Sequence, residues 1–124
     1  MEIKKIENYG KLKNCLDIIH KAYKKRDEEL GYKESQGHSL LTYDELVDMF
    51  NTNLQIYGYF LNNDIIGLIS YKIKDDYVKI KDIVVLPEHQ NKGIGTRLMS
   101  HLVSIAIIER VVNMLFLLLL VVVF

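Results

Sequence analysis

Three stretches rich in aromatic and β-branched residues follow one another between Leu54 and Leu86, parted by two polar turns too short to hold a helix. Asn62-Asn63-Asp64 separates Leu54–Leu61 from Ile65–Ile73, and Lys74-Asp75-Asp76 separates that second stretch from Tyr77–Leu86. Parallel strands need a crossover of a dozen residues or more, so strands joined this tightly lie antiparallel and side by side. Pro87 lacks the N–H a central strand would use, and it ends the run. What surrounds these strands is helical in period. Residues 10–24 carry an amphipathic pattern with an apolar stripe through Leu12, Cys15, Leu16, Ile19 and Ala22. Thr42-Tyr43-Asp44-Glu45 has the spacing of a capping box and predicts a helix to about Phe50. Helical spacing returns from about Gly93 through Leu98, Leu102 and Ile105. Residues 2–6 suit a short first strand, and Lys25–Leu41 reads as a polar loop or broken helix. The expected order is strand, helix, helix, three antiparallel strands, helix: a mixed α/β domain, with an α+β mixed sheet.

At 124 residues the chain supports one core, so residues 1–124 are expected to form a single domain. Lys plus Arg total 16, as do Asp plus Glu, which leaves no basic surplus for a nucleic acid. The lysines between Lys21 and Arg26 are diluted by Asp27, Glu28 and Glu29 and read as a solvated face. A lone cysteine, Cys15, excludes an internal disulfide and a cysteine-rich zinc site; no metal is expected. Its place in the helical stripe marks it as a buried small apolar residue rather than a nucleophile. The N-terminus is too charged for a secretory signal, so a cytoplasmic protein is expected. Met114–Phe124 is an unbroken apolar run, but an 11-residue helix rises only about 16 Å, roughly half a bilayer's hydrocarbon core. Glu109, Arg110 and Asn113 interrupt any longer span. The run therefore predicts no membrane crossing but a strand buried on both faces.

The chemistry concentrates between Ile80 and Met99, where a strand, a loop with two closely spaced glycines and a helix follow in order. The first turn of a helix leaves four N–H groups without partners, and its dipole favours negative charge there. Glycine lets that backbone approach a phosphate where a Cβ would collide, so a pyrophosphate is the natural guest. A P-loop would need Gly, four residues, then Gly-Lys-Ser/Thr, and no such string occurs. A dinucleotide fingerprint would need a small residue at Leu98 and a later acid near a strand end, and both are missing. What remains is Gln-x-x-Gly-x-Gly, filled by Gln90, Gly93 and Gly95 and preceded by Val-x-Pro at Val85 and Pro87.

On these residues, and on the element order over residues 2–108, the chain resembles the GNAT superfamily of N-acetyltransferases. The resemblance implies an acyl-CoA N-acyltransferase fold with acetyl-CoA as cosubstrate. It implies that backbone groups of Ile83, Val84 and Val85 pair with the pantetheine arm like an added strand. An amide around Val85 would polarise the thioester carbonyl. N–H groups of Gln90, Asn91, Lys92, Gly93, Ile94, Gly95 and Thr96 would hold the pyrophosphate. Lys92 and Arg97 either add charge near the phosphates or are solvated.

Attack on a thioester needs a neutral amine, hence a base, and Asp82 is the candidate catalytic residue. Strand alternation aligns it with Val78, Ile80 and Val84, an apolar face where a carboxylate calls for explanation. The alternative is a β-bulge that turns Asp82 to solvent or to a backbone cap. Polyamine-type relatives carry a Glu-Asp pair here, but Lys81 replaces the first acid. Lys79 stands where yeast-type histone acetyltransferases place their glutamate. His38 and Tyr43 lie in the region that builds the acceptor pocket in relatives. Val112–Phe124 would supply the fifth strand, after which the family's Asn-x-x-Ala…Tyr…Gly-Phe stretch is missing; no tyrosine follows Tyr77. The expectation is a C-terminally shortened member lacking the usual last helix and strands. It either transfers acetyl groups to an unidentified primary amine or is an inactive acyl-CoA-binding module; an unrelated interaction domain would have no coenzyme A affinity. The apolar segment 112–124 predicts a homodimer or higher oligomer.

Overall fold

The four strands of the computed structural model stack in chain order, each antiparallel to its neighbour: β1 (Glu2–Lys5), β2 (Gln55–Leu61), β3 (Asp64–Lys74) and β4 (Tyr77–Val85). The structure describes residues 2–32, 37–75 and 77–108. The β2–β3 hairpin closes at Leu61 opposite Asp64, with Asn62 and Asn63 both left-handed at φ 51° and 70°. Two successive left-handed residues match the right-handed twist of the flanking strands, and asparagine tolerates that conformation better than most side chains. The fifth strand expected over residues 112–124 lies outside the described residues, as does any contact of the apolar tail.

Helices cover both faces of the sheet. On one face α1 (Leu12–Glu29) and α2 (Tyr43–Thr52) bury Leu12, Cys15, Ile18, Ile19, Ala22 and Leu46 against Ile56, Leu68 and Val84. On the other, α3 (Ile94–Ile108) sets Ile94, Leu98, Leu102 and Ala106 against Tyr59, Ile69, Ile83 and Val85. Each large aliphatic side chain fully withdrawn from water this way contributes about 1.5–3 kcal/mol in transfer terms. The capping box at α2 forms as predicted: the Glu45 N–H donates to Thr42 Oγ1 at 3.1 Å, and the Thr42 N–H donates to Glu45 Oε1 at 3.0 Å.

Two expectations need correction. Helix α1 runs on to Glu29, five residues past the predicted end at 24. Its last turns are polar but made of good helix formers, laced by Lys21–Asp17 and Lys25–Glu29 pairs at i, i+4 spacing. Gly31, left-handed at φ 77°, follows the end of the helix. The second correction concerns β4. Ser70 pairs with Asp82 but Tyr71 pairs with Ile80, so Lys81 is an extra residue that resets the alternation. Val78 and Ile80 face α3; beyond the bulge Ile83 and Val85 take over that side, while Val84 faces α1. Asp82 therefore shares a face with Val84 only, and the bulge turns it into the α1 layer rather than to solvent.

Candidate functional site

The end of β4 shapes everything around it. The Leu86 N–H donates to the Ile66 carbonyl at 2.8 Å, the last bond toward β3. Pro87–His89 then forms one 3-10 turn, in which the His89 N–H reaches the Leu86 carbonyl and the Gln90 N–H reaches the Pro87 carbonyl, at 2.9 and 3.3 Å. Asn91 and Gly93 take left-handed conformations, φ 64° and 80°, and swing the chain into α3. The first helical bond runs from the Arg97 N–H to the Gly93 carbonyl at 3.1 Å. Among the described residues no backbone carbonyl accepts from the N–H groups of residues 91–96. No acidic side chain belongs to the first turn of α3 itself, so the helix brings no negative charge of its own to its positive end. Gln90 is the exception in the predicted row: its own N–H is already bonded, and its part is played by its side chain.

This turn borders an open cleft of about 440 Å³, lined by Val85, Gln90, Asn91, Gly93 and Ile94–Thr96 together with Lys25, Glu29 and His89. Along β4 the backbone alternates between the ladder with β3 and the side away from β3. With Leu86 bonded toward β3, Val84 also faces the ladder opposite Leu68, whereas Ile83 and Val85 turn their N–H and C=O groups outward. Of the three strand residues predicted to pair with a ligand, two are thus presented and Val84 is not. The Val85 carbonyl already accepts one hydrogen bond, from Gln90 Nε2 at 2.9 Å. Lys25 Nζ donates to Gln90 Oε1 at 2.8 Å, and because lysine can only donate, the orientation of the Gln90 carboxamide is determined.

Behind the strand lies a buried polar group of side chains. Asp82, 4 % exposed, accepts from Tyr23 Oη at 2.8 Å on one oxygen and from Ser70 Oγ at 3.2 Å on the other. Burial raises the Tyr23 phenol above its ordinary value, and the Asp82 carboxylate adds to the rise, with Arg26 acting against it. The phenol therefore stays protonated and donates. The Arg26 guanidinium lies over the Tyr23 ring, 4.6 Å from its centroid, and also donates to Asp27 Oδ1 at 2.6 and 3.1 Å. Asp27, itself buried, accepts from Ser39 Oγ at 2.9 Å, which ties the single 3-10 turn Gly37–Leu40 to α1.

Other predicted participants are placed elsewhere. Arg97 donates to Tyr59 Oη at 2.7 Å, under the α3 face of the sheet. Lys92 is exposed and does not line the cleft. Tyr43 packs on the α1–α2 core beneath Lys13. His38 belongs to the 3-10 turn by its backbone. Cys15 is buried, its thiol pushed up to about 12 chiefly by burial, as expected of a core residue. Sequence reasoning missed Tyr23, Ser70 and Lys25. A signal existed for Tyr23, which continues the spacing of Leu12, Leu16 and Ile19; no local pattern marks the other two. Among the described residues no cluster of three or more His, Cys, Asp or Glu side chains is arranged to hold a metal, and no helix is long and apolar enough to cross a membrane.

With this geometry in view, comparison with known proteins is direct. The model of the acetyltransferase (GNAT) family matches residues 12–119. No curated protein matches the chain. Among solved structures, the PaiA N-acetyltransferase from Thermoplasma acidophilum, in complex with coenzyme A, is 20% identical with a TM-score of 0.66. That alignment covers 90% of this chain and 76% of the other. The ribosomal-protein-S18-alanine N-acetyltransferase from Escherichia coli is 15% identical with a TM-score of 0.69, over 89% of this chain and 61% of that one. An aminoglycoside acetyltransferase from an uncultured soil metagenomic sample, in complex with sisomicin, is 16% identical with a TM-score of 0.64, over 87% and 70%. At these identities the likeness is one of fold.

Proposed function

The chain belongs to the acetyltransferase (GNAT) family, and on that premise we propose that it transfers the acetyl group of acetyl-CoA to a primary amine of a small molecule, peptide or protein. The observation that carries this reading is the row of N–H groups from Asn91 to Thr96 at the head of α3, which have no backbone acceptor among the described residues. A diphosphate suits such a row, where left-handed Gly93 also has open space in place of a Cβ. An amide-bearing arm suits the side of β4 away from β3, toward which the Val85 N–H and both backbone groups of Ile83 point. These residues would hold acetyl-CoA, whose thioester supplies an acyl group already activated for attack.

The remaining work falls to side chains of this chain. An alkylamine is mostly protonated near neutral pH, so a group near the Ile83–Val85 edge must accept its proton. Asp82 is the buried carboxylate next to that edge. Tyr23 and Ser70 each donate to one of its oxygens and fix its plane, and its carboxylate is the group this reading assigns to receive the amine proton, directly or through one water. A second reading, an acyl-CoA-binding module without turnover, is favoured by the same burial, since a donor on each oxygen is also what a purely structural aspartate requires. Calorimetry with acetyl-CoA, followed by thiol release across a panel of amines, tests both. Binding with amine-dependent release supports transfer; binding without release selects the second reading; no binding removes both.

A further inference from the structure

Lys25 enters the cleft from α1, in the helical layer opposite α3, and among the described residues is the one lysine or arginine that lines it. Its side chain is 33% exposed, and its ammonium meets two neighbours: Gln90 Oε1 at 2.8 Å and a Glu29 carboxylate oxygen at 3.6 Å. We propose that Lys25 is a further residue of the acyl-CoA site, orienting Gln90 and supplying the positive charge that selects coenzyme A over carriers without a diphosphate. The inference rests on the reading of the cleft as an acyl-CoA site.

The positioning effect follows from donor counting. An ammonium has three N–H donors and no acceptor, so Gln90 must present its oxygen to Lys25 and its NH₂ to the Val85 carbonyl. That bond occupies one of the two acceptor directions of the Val85 carbonyl and leaves its N–H pointing away from β3. The charge effect follows from the partners. Glu29 is 62% exposed and too distant for a close hydrogen bond, so its hold on Lys25 is weak. A diphosphate at the head of α3 offers better acceptors, and Glu29, whose carboxylate also borders the cleft, would repel it. Lys25 and Glu29 should therefore affect coenzyme A binding with opposite signs.

The test is calorimetry on the full chain with coenzyme A and with pantetheine, which lacks the diphosphate and nucleotide, at low and high salt. Lys25→Met is expected to weaken coenzyme A about tenfold at low salt, with the loss shrinking as salt screens the charge. Pantetheine, sensitive only to the positioning of Gln90, should weaken by no more than about threefold, one neutral hydrogen bond's share. Lys25→Arg should restore most of the coenzyme A affinity, and Glu29→Gln should tighten it by about two- to threefold. Coenzyme A affinity within twofold of wild type in a folded Lys25→Met protein would overturn the proposal, as would equal, salt-independent losses for both ligands. Should Lys25→Met not fold, the Glu29→Gln result decides, and an unchanged or weaker affinity there sinks the charge effect. A wild-type chain that binds neither ligand fails at the acyl-CoA reading itself.

Discussion

A carboxylate placed inside a sheet without donors would cost several kcal/mol, and Asp82 avoids this through Tyr23 and Ser70. If Asp82 handles the amine proton, Asp82→Asn should lower turnover by roughly 10²–10⁴-fold and leave acetyl-CoA affinity nearly unchanged. Wild-type turnover in the variant would make Asp82 structural. Tyr23→Phe should destabilise the fold by about 1–3 kcal/mol, because Asp82 loses a donor inside the protein. The pH dependence has a definite sign. The Tyr23 phenol lies above its ordinary 10.0 and the Cys15 thiol above 9.0, so both stabilise fully below those values and the contribution is lost as pH rises through the raised ones. Urea denaturation at pH 8 and pH 11 should thus show a larger alkaline loss in wild type than in Tyr23→Phe; equal losses would mean the phenol is not the buried, protonated donor described. At this scale the sequence marks Asp82, Gln90 and Gly93 as candidates because their signals are local: an acid in an apolar strand, glycines at a helix start. It does not mark Ser70 and Lys25, since their partners stand 12 and 65 residues away in the chain.

Among elements, the junction of β4 and α3 is the most exacting. Gly95→Asp would place a negative charge in the first turn of α3, beside the diphosphate, and should abolish measurable acetyl-CoA binding, with circular dichroism checking that the variant is folded. Unchanged affinity would remove the cradle as the site. Gly67, opposite Val85 on β3, has a different part: a Cβ there would stand 3.1 Å from the Val84 carbonyl and 3.3 Å from Ile94 Cγ2. It lets the first residue of α3 seat on the sheet, so Gly67→Val should cost about 1–3 kcal/mol and weaken acetyl-CoA with it. A thermal melt and one titration check both. Element order and both hairpin turns could be read from the sequence, because period and turn chemistry are short-range. The last turns of α1 could not, as Lys25–Glu29 has no apolar stripe and is helical through its side-chain pairs and its continuity with the turns before it. From the sequence a bulge near Asp82 stands only as an alternative, and as one that turns the carboxylate to solvent or to a backbone cap, for a pleat seen in one dimension does not say which layer a displaced residue will enter.

At the scale of the molecule, family and fold were legible from one motif and the element order around it, whereas the meeting of two helical layers at the cleft was not. The oligomer expected from the apolar residues 112–124 rests on sequence outside the described residues; light scattering at micromolar concentration should find a dimer or larger species, and a stable monomer would refute it. The Tyr23–Asp82 and Lys25–Gln90 bonds bridge 59 and 65 residues of chain. Closing loops of that length is entropically costly and slow compared with forming α1 or the β2–β3 hairpin. A chain that has made its helices and hairpins but not docked α1 beside the end of β4 has no cleft at all. Coenzyme A would then recognise only molecules in which α1 and the head of α3 have met across the sheet, so its binding during refolding should lag the recovery of secondary structure and count the fraction so assembled.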